Sequence, residues 1–251
     1  MDEPSTGVDR AKQGAREQMW ALLQEVRVSA PPGTRGGIPD FVGADRAAER
    51  LAGLPEWQRA KVIKVNPDTA QQPVRARALA DGKLVYMAVP KLALQHPFVL
   101  LDPERLTVPP ELAARKHDAL REGRPAGVRD MHPIDLVVAG SLAVSRTGAR
   151  LGKGAGYTDI ELGLLMDAGW VSAGTPVATT VHDLQVVDHA LPRSRFDFEV
   201  SVIVTPTVVI RIAAPSPSPG IVWSDLDSAK IAEIPVLRSP RPGGFLNGGL
   251  C

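Results

Sequence analysis

Six short apolar runs rich in β-branched residues constrain this chain more than any other feature: 61–65, 84–89, 136–138, 176–181, 200–204 and 207–212. Several read as continuous apolar stretches, such as Leu136-Val137-Val138 and Val177-Ala178. That pattern belongs to strands buried on both faces, as in a parallel sheet. Helical spacing lies between them. Met19, Leu22, Leu23 and Val26 share one face of a helix over 10–26, and further helices are expected over 45–54, 74–80 and 160–168. Trp57 is expected in the core beneath the second helix, and Asp81-Gly82-Lys83 as a tight turn into the strand that follows. Val99-Leu100-Leu101 reads as a further short strand. Residues 103–131 are charged and proline-marked, without a clear period, and read as an irregular excursion. The last two runs, split by Thr205-Pro206, read as a closing strand pair or one bent strand.

Strand–helix alternation predicts an α/β domain over 1–214, with a mostly parallel sheet, helices on both faces and a small closing β segment. In such sheets ligands bind beyond the carboxyl ends of strands. From Pro215 the composition turns to Pro, Ser and Gly, so 215–251 reads as a tail lying on the domain or partly unfolded.

Composition narrows the function classes. A net charge of +1 supplies no field towards nucleic acid or membrane, and 4% aromatic residues argue against base stacking on an open sheet. The single cysteine, Cys251, excludes an internal disulfide framework and a cysteine zinc site. No apolar run approaches the roughly 20 residues that span a bilayer. Met1-Asp2-Glu3-Pro4 lacks the basic and apolar segments of a signal peptide. A cytoplasmic protein, monomeric or homodimeric, is expected.

The chemistry concentrates in Arg150-Leu151-Gly152-Lys153-Gly154-Ala155-Gly156-Tyr157-Thr158-Asp159. A glycine-rich turn between a strand (135–140) and a helix leaves backbone N–H groups free to meet an anion. Arg150 and Lys153 add full charges, and Asp159 can hold magnesium against phosphates. The same glycine spacing also occurs in plain mobile turns, and it matches neither the Walker nor the dinucleotide pattern. Lys12 and Arg16 lie four apart on one helical face; read alone they are solvated surface cations. His182-Asp183 is a candidate base with its orienting acid, or a turn. Lys64 is read as facing the triphosphate or as a solvated strand residue, and Asp68 as a ligand or a turn-former.

Together these residues resemble the 5-formyltetrahydrofolate cyclo-ligase family, whose loop usually reads R-L-G-x-G-x-G-Y-Y-D-R. Ile134 to Val138 with Gly140 resemble its preceding strand. Gln185, Leu191-Pro192, Asp197 and Val202-Ile203-Val204-Thr205 resemble its closing segment, Lys12 and Arg16 its N-terminal cations, and Gly82-Lys83 with Val89-Pro90 its central turn. The resemblance covers roughly 10–212. It implies a three-layer fold of the NagB/RpiA/CoA-transferase-like kind. It also implies ATP- and Mg2+-dependent closure of 5-formyltetrahydrofolate to 5,10-methenyltetrahydrofolate. In that reaction the formyl oxygen takes the γ-phosphoryl group, and the folate N10 closes the ring as phosphate leaves.

By that resemblance Lys12, Arg150 and Tyr157 serve the chemistry. Lys12, Arg16, Arg150, Gly152, Lys153, Gly154, Ala155, Gly156, Tyr157, Thr158 and Asp159 hold ATP. Asp159 and Asp197 bind magnesium, while Tyr157 and Asp68 face the reduced folate. The chain departs from the family where Thr158 stands for a second tyrosine, Ile160 for an arginine, Asp68 near a usual glutamate and Ser201 for a frequent acid. No aromatic residue in 103–131 answers the one some members supply. The ATP side is thus kept and the folate side altered, as in a divergent branch that includes the part found beside an RNA-recognition domain in some animal proteins; no such domain's signature string occurs here. Three readings follow: a formyltetrahydrofolate cyclo-ligase, a paralogue with the same ATP site and another small substrate, or a non-enzymatic nucleotide-binding module.

Overall fold

The computed structural model of the protein describes residues 7–28 and 35–238. Pro31-Pro32-Gly33 and Cys251 lie outside the described residues. In chain order the helix α1 (Gly7–Glu25) is followed by α2 (Ala44–Ala52), α3 (Pro55–Arg59), β1 (Val62–Val65), α4 (Gln72–Ala80) and β2 (Leu84–Ala88). Next come β3 (Phe98–Leu101), α5 (Pro110–Ala113), α6 (Lys116–Glu122), β4 (Arg124–Ala126), β5 (Leu136–Ala139), β6 (Ala143–Ser145) and β7 (Arg150–Leu151). The chain closes with α7 (Tyr157–Asp167), β8 (Val177–Thr180), β9 (Val186–Val187), β10 (Val202–Val204), β11 (Val209–Arg211) and α8 (Ser228–Glu233).

All six apolar runs enter one eight-stranded sheet, ordered β11-β10-β8-β5-β1-β2-β3-β4. The five strands from β10 to β2 are parallel, whereas β11, β3 and β4 pair antiparallel at the edges. Side chains alternate between two buried faces, as the strand period of two requires. Ile63, Val65, Val85, Met87, Leu136 and Val138 pack with Leu51, Trp57, Val74 and Ala78 on one side. Tyr86, Ala88, Val137, Ala139 and Ile203 pack on the other under Ile160, Leu164 and Leu165 of α7. Each fully buried aliphatic side chain contributes roughly 1.5–3 kcal/mol. This is the α/β fold expected, with helices on both faces.

Three details depart from the sequence reading. Residues 103–131 are not an irregular excursion: they form α5, α6 and the edge strand β4. These elements run only 3 to 7 residues, too few to display a period. The glycine-rich loop does not leave the strand at 135–140 directly. After Ala139 the chain makes β6 and β7, which join β9 in a separate three-stranded sheet, and the loop follows β7. The second helix stops at Ala52, and α3 starts at Pro55, a residue suited to the first helical turn.

The small sheet carries α1. Met19, Trp20 and Leu23 pack against Leu142, Ala143, Ala149 and Leu151. Gln185 joins the two sheets by donating to the carbonyls of Ser141 and Leu142 at 2.9 and 3.0 Å. No described helix is long and apolar enough to cross a membrane.

The segment after Pro215 packs against the domain as far as Leu237. Ile221, Trp223, Leu226 and Ile231 lie against the α7 face, and Ile234 and Leu237 are buried in it. Gly163 makes this possible. A Cβ there would lie 2.8 Å from Ile221 Cδ1 and 3.0 Å from the Gly220 carbonyl, so only glycine lets the two backbones approach. Gly163→Val is therefore expected to cost about 1–3 kcal/mol by overpacking. Limited proteolysis should then cut after 215 sooner than in the wild type; unchanged stability and cleavage would show that this contact does not hold the segment.

Candidate active site at the reversal of strand order

β1 lies between β5 and β2, so the strand order reverses between β1 and β5 and opens a crevice at their carboxyl ends. Asn66-Pro67-Asp68 leaves one strand there and Gly140 the other. A Cβ on Gly140 would lie 2.9 Å from both Asp68 Oδ2 and Gln71 Oε1, so glycine lets the two turns close on each other. Arg75, fully buried, fixes the first turn. It donates to the carbonyls of Asn66, Asp68 (3.1 Å) and Ala114 (2.9 Å), and burial pulls its guanidinium down to about 10.

The loop 152–156 closes over this crevice. Gly154 and Gly156 have φ of 99° and 71°, backbone geometry that a side chain would strain. A Cβ on Gly154 would also sit 3.1 Å from Arg16 Cζ. Gly156 caps α7 without any side-chain cap, so the first-turn N–H groups and the positive end of the helix dipole face the loop.

Every residue proposed for the site borders one hollow of about 140 Å3: Lys12, Arg16, Asp68, Arg150, Gly152 to Asp159 and Asp197. Lys12 is not a solvated surface cation. It is 6% exposed, lies 2.5 Å from Asp197 Oδ2, donates to Ser194 Oγ at 2.8 Å and stands 5.1 Å from the centre of the Phe196 ring. Arg16 Nε donates to the Gly152 carbonyl at 3.0 Å, joining α1 to the loop. Arg150 donates to the Gly140 carbonyl (3.2 Å) and to Asp159 Oδ1 (2.9 Å), with its guanidinium 4.6 Å from the Phe198 ring centre. Arg150 Nε is buried and has no hydrogen-bond partner. Lys153, 40% exposed at its side chain, reaches Asp68 Oδ1 at 3.3 Å. Asp68 thus borders the hollow as well as shaping the turn. Four cations and a helix N-terminus share the hollow with four carboxylates, those of Asp9, Asp68, Asp159 and Asp197, a mixed set of the kind that phosphate and a metal ion together would engage.

Asp159 and Asp197 bring carboxylate oxygens to the border of the hollow. The protein's bonds engage Oδ1 of Asp159 and Oδ2 of Asp197, leaving one oxygen of each. Magnesium takes one or two carboxylates together with phosphate and water, so this pair fits such an ion. Among the described residues no cluster of three or more acidic, histidine or cysteine side chains forms a self-sufficient metal cage. Burial pushes the Asp159 carboxyl up, and the Asp197 charge adds to this, while Arg150 and Lys12 oppose it. The folded chain therefore binds the Asp159 proton more tightly than the unfolded chain. The stability this lends is present below the ordinary aspartate value of about 3.9 and is lost as pH rises through the raised folded value. Unfolding free energy measured at stepped pH should decline over that interval in the wild type relative to Asp159→Asn; parallel curves would remove the shift.

Several candidates take other roles. Lys64 neither faces the hollow nor meets solvent. It is 1% exposed, ion-paired with Glu161 and bonded to Asn66 Oδ1 at 2.6 Å. Asn66 Nδ2 in turn donates to Thr158 Oγ1 at 2.9 Å, so the hydroxyl standing in place of a tyrosine is tied to the sheet. His182 and Asp183 do not form an acid–base pair. His182 Nδ1 accepts from the Leu184 N–H, whereas Asp183 accepts from the hydroxyls of Thr205 and Thr207. Ser201, in place of an acid, bonds to the Val177 backbone.

Tyr157 has partners outside the expected set. Its hydroxyl donates to Glu233 Oε1 at 2.7 Å, and the Lys230 ammonium lies 4.1 Å from its ring centre. Sequence reasoning also passed over Glu161 and Phe196. A lone carboxylate inside the apolar helix run Ile160-Glu161-Leu162 was a readable sign of a buried partner; nothing marked Phe196.

The 5-formyltetrahydrofolate cyclo-ligase family model matches residues 8–206. The chain is 38% identical over 251 residues to a methenyltetrahydrofolate synthase domain-containing protein of Bos taurus, covering 95% of this chain and 63% of that protein. The Homo sapiens protein of that name is 34% identical over 253 residues, with 96% and 63% covered. The chain thus spans less than two thirds of the length of these relatives. Among solved structures, the Aquifex aeolicus 5,10-methenyltetrahydrofolate synthetase superposes with a TM-score of 0.50 at 20% identity, over 87% of this chain and 99% of that one. That likeness speaks to the fold.

Proposed function

Since this chain belongs to the 5-formyltetrahydrofolate cyclo-ligase family, we propose that it uses ATP and magnesium to close 5-formyltetrahydrofolate to 5,10-methenyltetrahydrofolate. One observation carries this reading: the cations of both chain regions, Lys12 and Arg16 with Arg150 and Lys153, meet the glycine loop and two aspartates in a single hollow. Phosphoryl transfer asks mainly for positioning and charge neutralisation, and this hollow offers both without a side-chain nucleophile. Lys12 and Arg150 would meet charge on the transferring phosphoryl group, and the α7 N-terminus would add backbone donors. Asp159 and Asp197 would hold magnesium, which when bound neutralises phosphate charge. Tyr157, fixed by Glu233, borders the hollow and would meet the formyl-bearing substrate; Asp68 would lie across from it. We further propose that the protein acts in the cytoplasm as a monomer or homodimer, with 1–214 as the cyclo-ligase domain and 215–251 as its appendage.

One observation favours a second reading, a paralogue acting on another small molecule. Tyr157, expected on the folate side, is engaged by Glu233, and Thr158, which stands for the family's second tyrosine, is engaged by Asn66. A single experiment separates the readings. Purified protein given 5-formyltetrahydrofolate, ATP and magnesium should develop the methenyl chromophore. ATP raising the melting temperature without that chromophore would favour the paralogue, and no shift with ATP would sink both enzyme readings.

A further inference from the structure

A second hollow adjoins the first, and the family match does not account for it. The two share Gly156, Asp159 and Phe196. Its remaining wall comes mostly from 220–230, beyond residue 206 where the family match ends. Its character differs from that of the phosphate hollow. Ile160, Ile221, Val222 and Leu226 give it apolar sides, with Asp159, Asp225, Asp227 and Lys230 at its border. Its volume is about 150 Å3, and an apolar-walled cavity of that size accepts a benzene ring. The wall is built rather than draped. Gly163 admits Gly220, Gly220 has φ of 83°, Arg195 Nε grips Asp225 Oδ2 at 2.7 Å, and Ile234 behind it is fully buried.

A charged hollow sharing a wall with an apolar one matches a ligand with a polyanionic end and a flat heterocyclic end. We propose that segment 220–230 forms the base compartment for the nucleotide whose phosphates the glycine loop holds, a purine ring lying against Phe196, Val222 and Leu226. The inference rests on the ATP reading above and extends it to residues outside the family's matched stretch. Base burial there gives ATP an advantage over phosphate alone, since apolar contact is added to the charge contacts.

Binding of ATP and of inorganic tripolyphosphate, each with magnesium, tests this on the full chain by calorimetry. Wild type is expected to bind ATP at least about tenfold more tightly than tripolyphosphate. Val222→Trp, which fills the compartment, should weaken ATP at least about tenfold and tripolyphosphate less than about twofold. Leu226→Asn, which adds polarity without bulk, should act in the same direction and guards against misfolding of the first variant; melting curves report the fold of each. Equal wild-type affinities, parallel loss of both ligands, or unchanged ATP binding would each overturn the assignment. So would weakened 5-formyltetrahydrofolate binding with ATP unaffected, which would give the compartment to the other substrate. Wild type binding neither anion would instead remove the nucleotide reading itself.

Discussion

Arg150→Met is expected to lower ATP affinity by roughly a hundredfold or more, the consequence of about 3 kcal/mol lost when one member of a buried, hydrogen-bonded charge pair is removed. Arg150 is 4% exposed at its side chain and holds both Gly140 and Asp159. Its loss takes a cation from the hollow proposed to hold phosphate. It also leaves the Asp159 carboxylate buried without its closest counter-charge, which pushes that carboxyl further up. A carboxyl that holds its proton more tightly competes less well for magnesium. Two companion variants separate these effects. Arg150→Lys retains the charge but loses the planar fork, so an intermediate affinity is expected. Arg150→Met combined with Asp159→Asn should recover stability, because no orphan charge stays buried, yet bind ATP no better than the single variant. A folded Arg150→Met protein that binds ATP with wild-type affinity would take the hollow out of nucleotide binding.

The largest loss of stability is expected at Lys64, which touches no proposed ligand. Its ammonium is buried between Glu161 and Asn66 and ties β1 to α7, the helix whose first turn borders the hollow. Lys64→Met strands the Glu161 carboxylate inside the protein, and breaking such a pair typically costs about 3–5 kcal/mol. Against a total stability of about 5–15 kcal/mol, that is a large share. Urea unfolding should show it as a lower midpoint with little change in slope. Lys64→Met with Glu161→Met should regain most of the loss, because two apolar side chains of similar bulk can replace a buried ion pair at little cost. A single variant losing under about 1 kcal/mol would mean that water reaches the pair.

How much of this was readable in the sequence differs by element. The central strands were legible because burial on both faces leaves them continuously apolar, and Trp57 was rightly expected in the core. The glycine loop was legible as a loop before a helix, with Gly154 and Gly156 at positive φ, although its spacing alone fits a plain turn as well. The edges were not. β3 and β4 are short, and nothing in Val99-Leu100-Leu101 says whether its partner runs parallel or antiparallel. The Lys64–Glu161 pair joins residues 97 apart, and periodicity cannot report a contact that only tertiary folding creates. Lys12 looked like a surface cation for the same reason. Its burial depends on Phe196 and Asp197, far along the chain. The segment after 215 was legible in part: its prolines and serines mark a tail, and the apolar residues within it, Ile234 and Leu237 among them, are the ones that dock in the core.

The bond between Lys12 and Ser194 spans 182 residues, so the cleft is stitched from distant parts of the polypeptide. While the chain is still emerging from a ribosome, α1 and the small sheet's first strands are synthesised long before the residues that complete their pocket. Contacts of such high sequence separation form late and slowly. A nascent chain arrested short of Ser194 should therefore expose an unfinished cleft to chaperones, however complete its central strands.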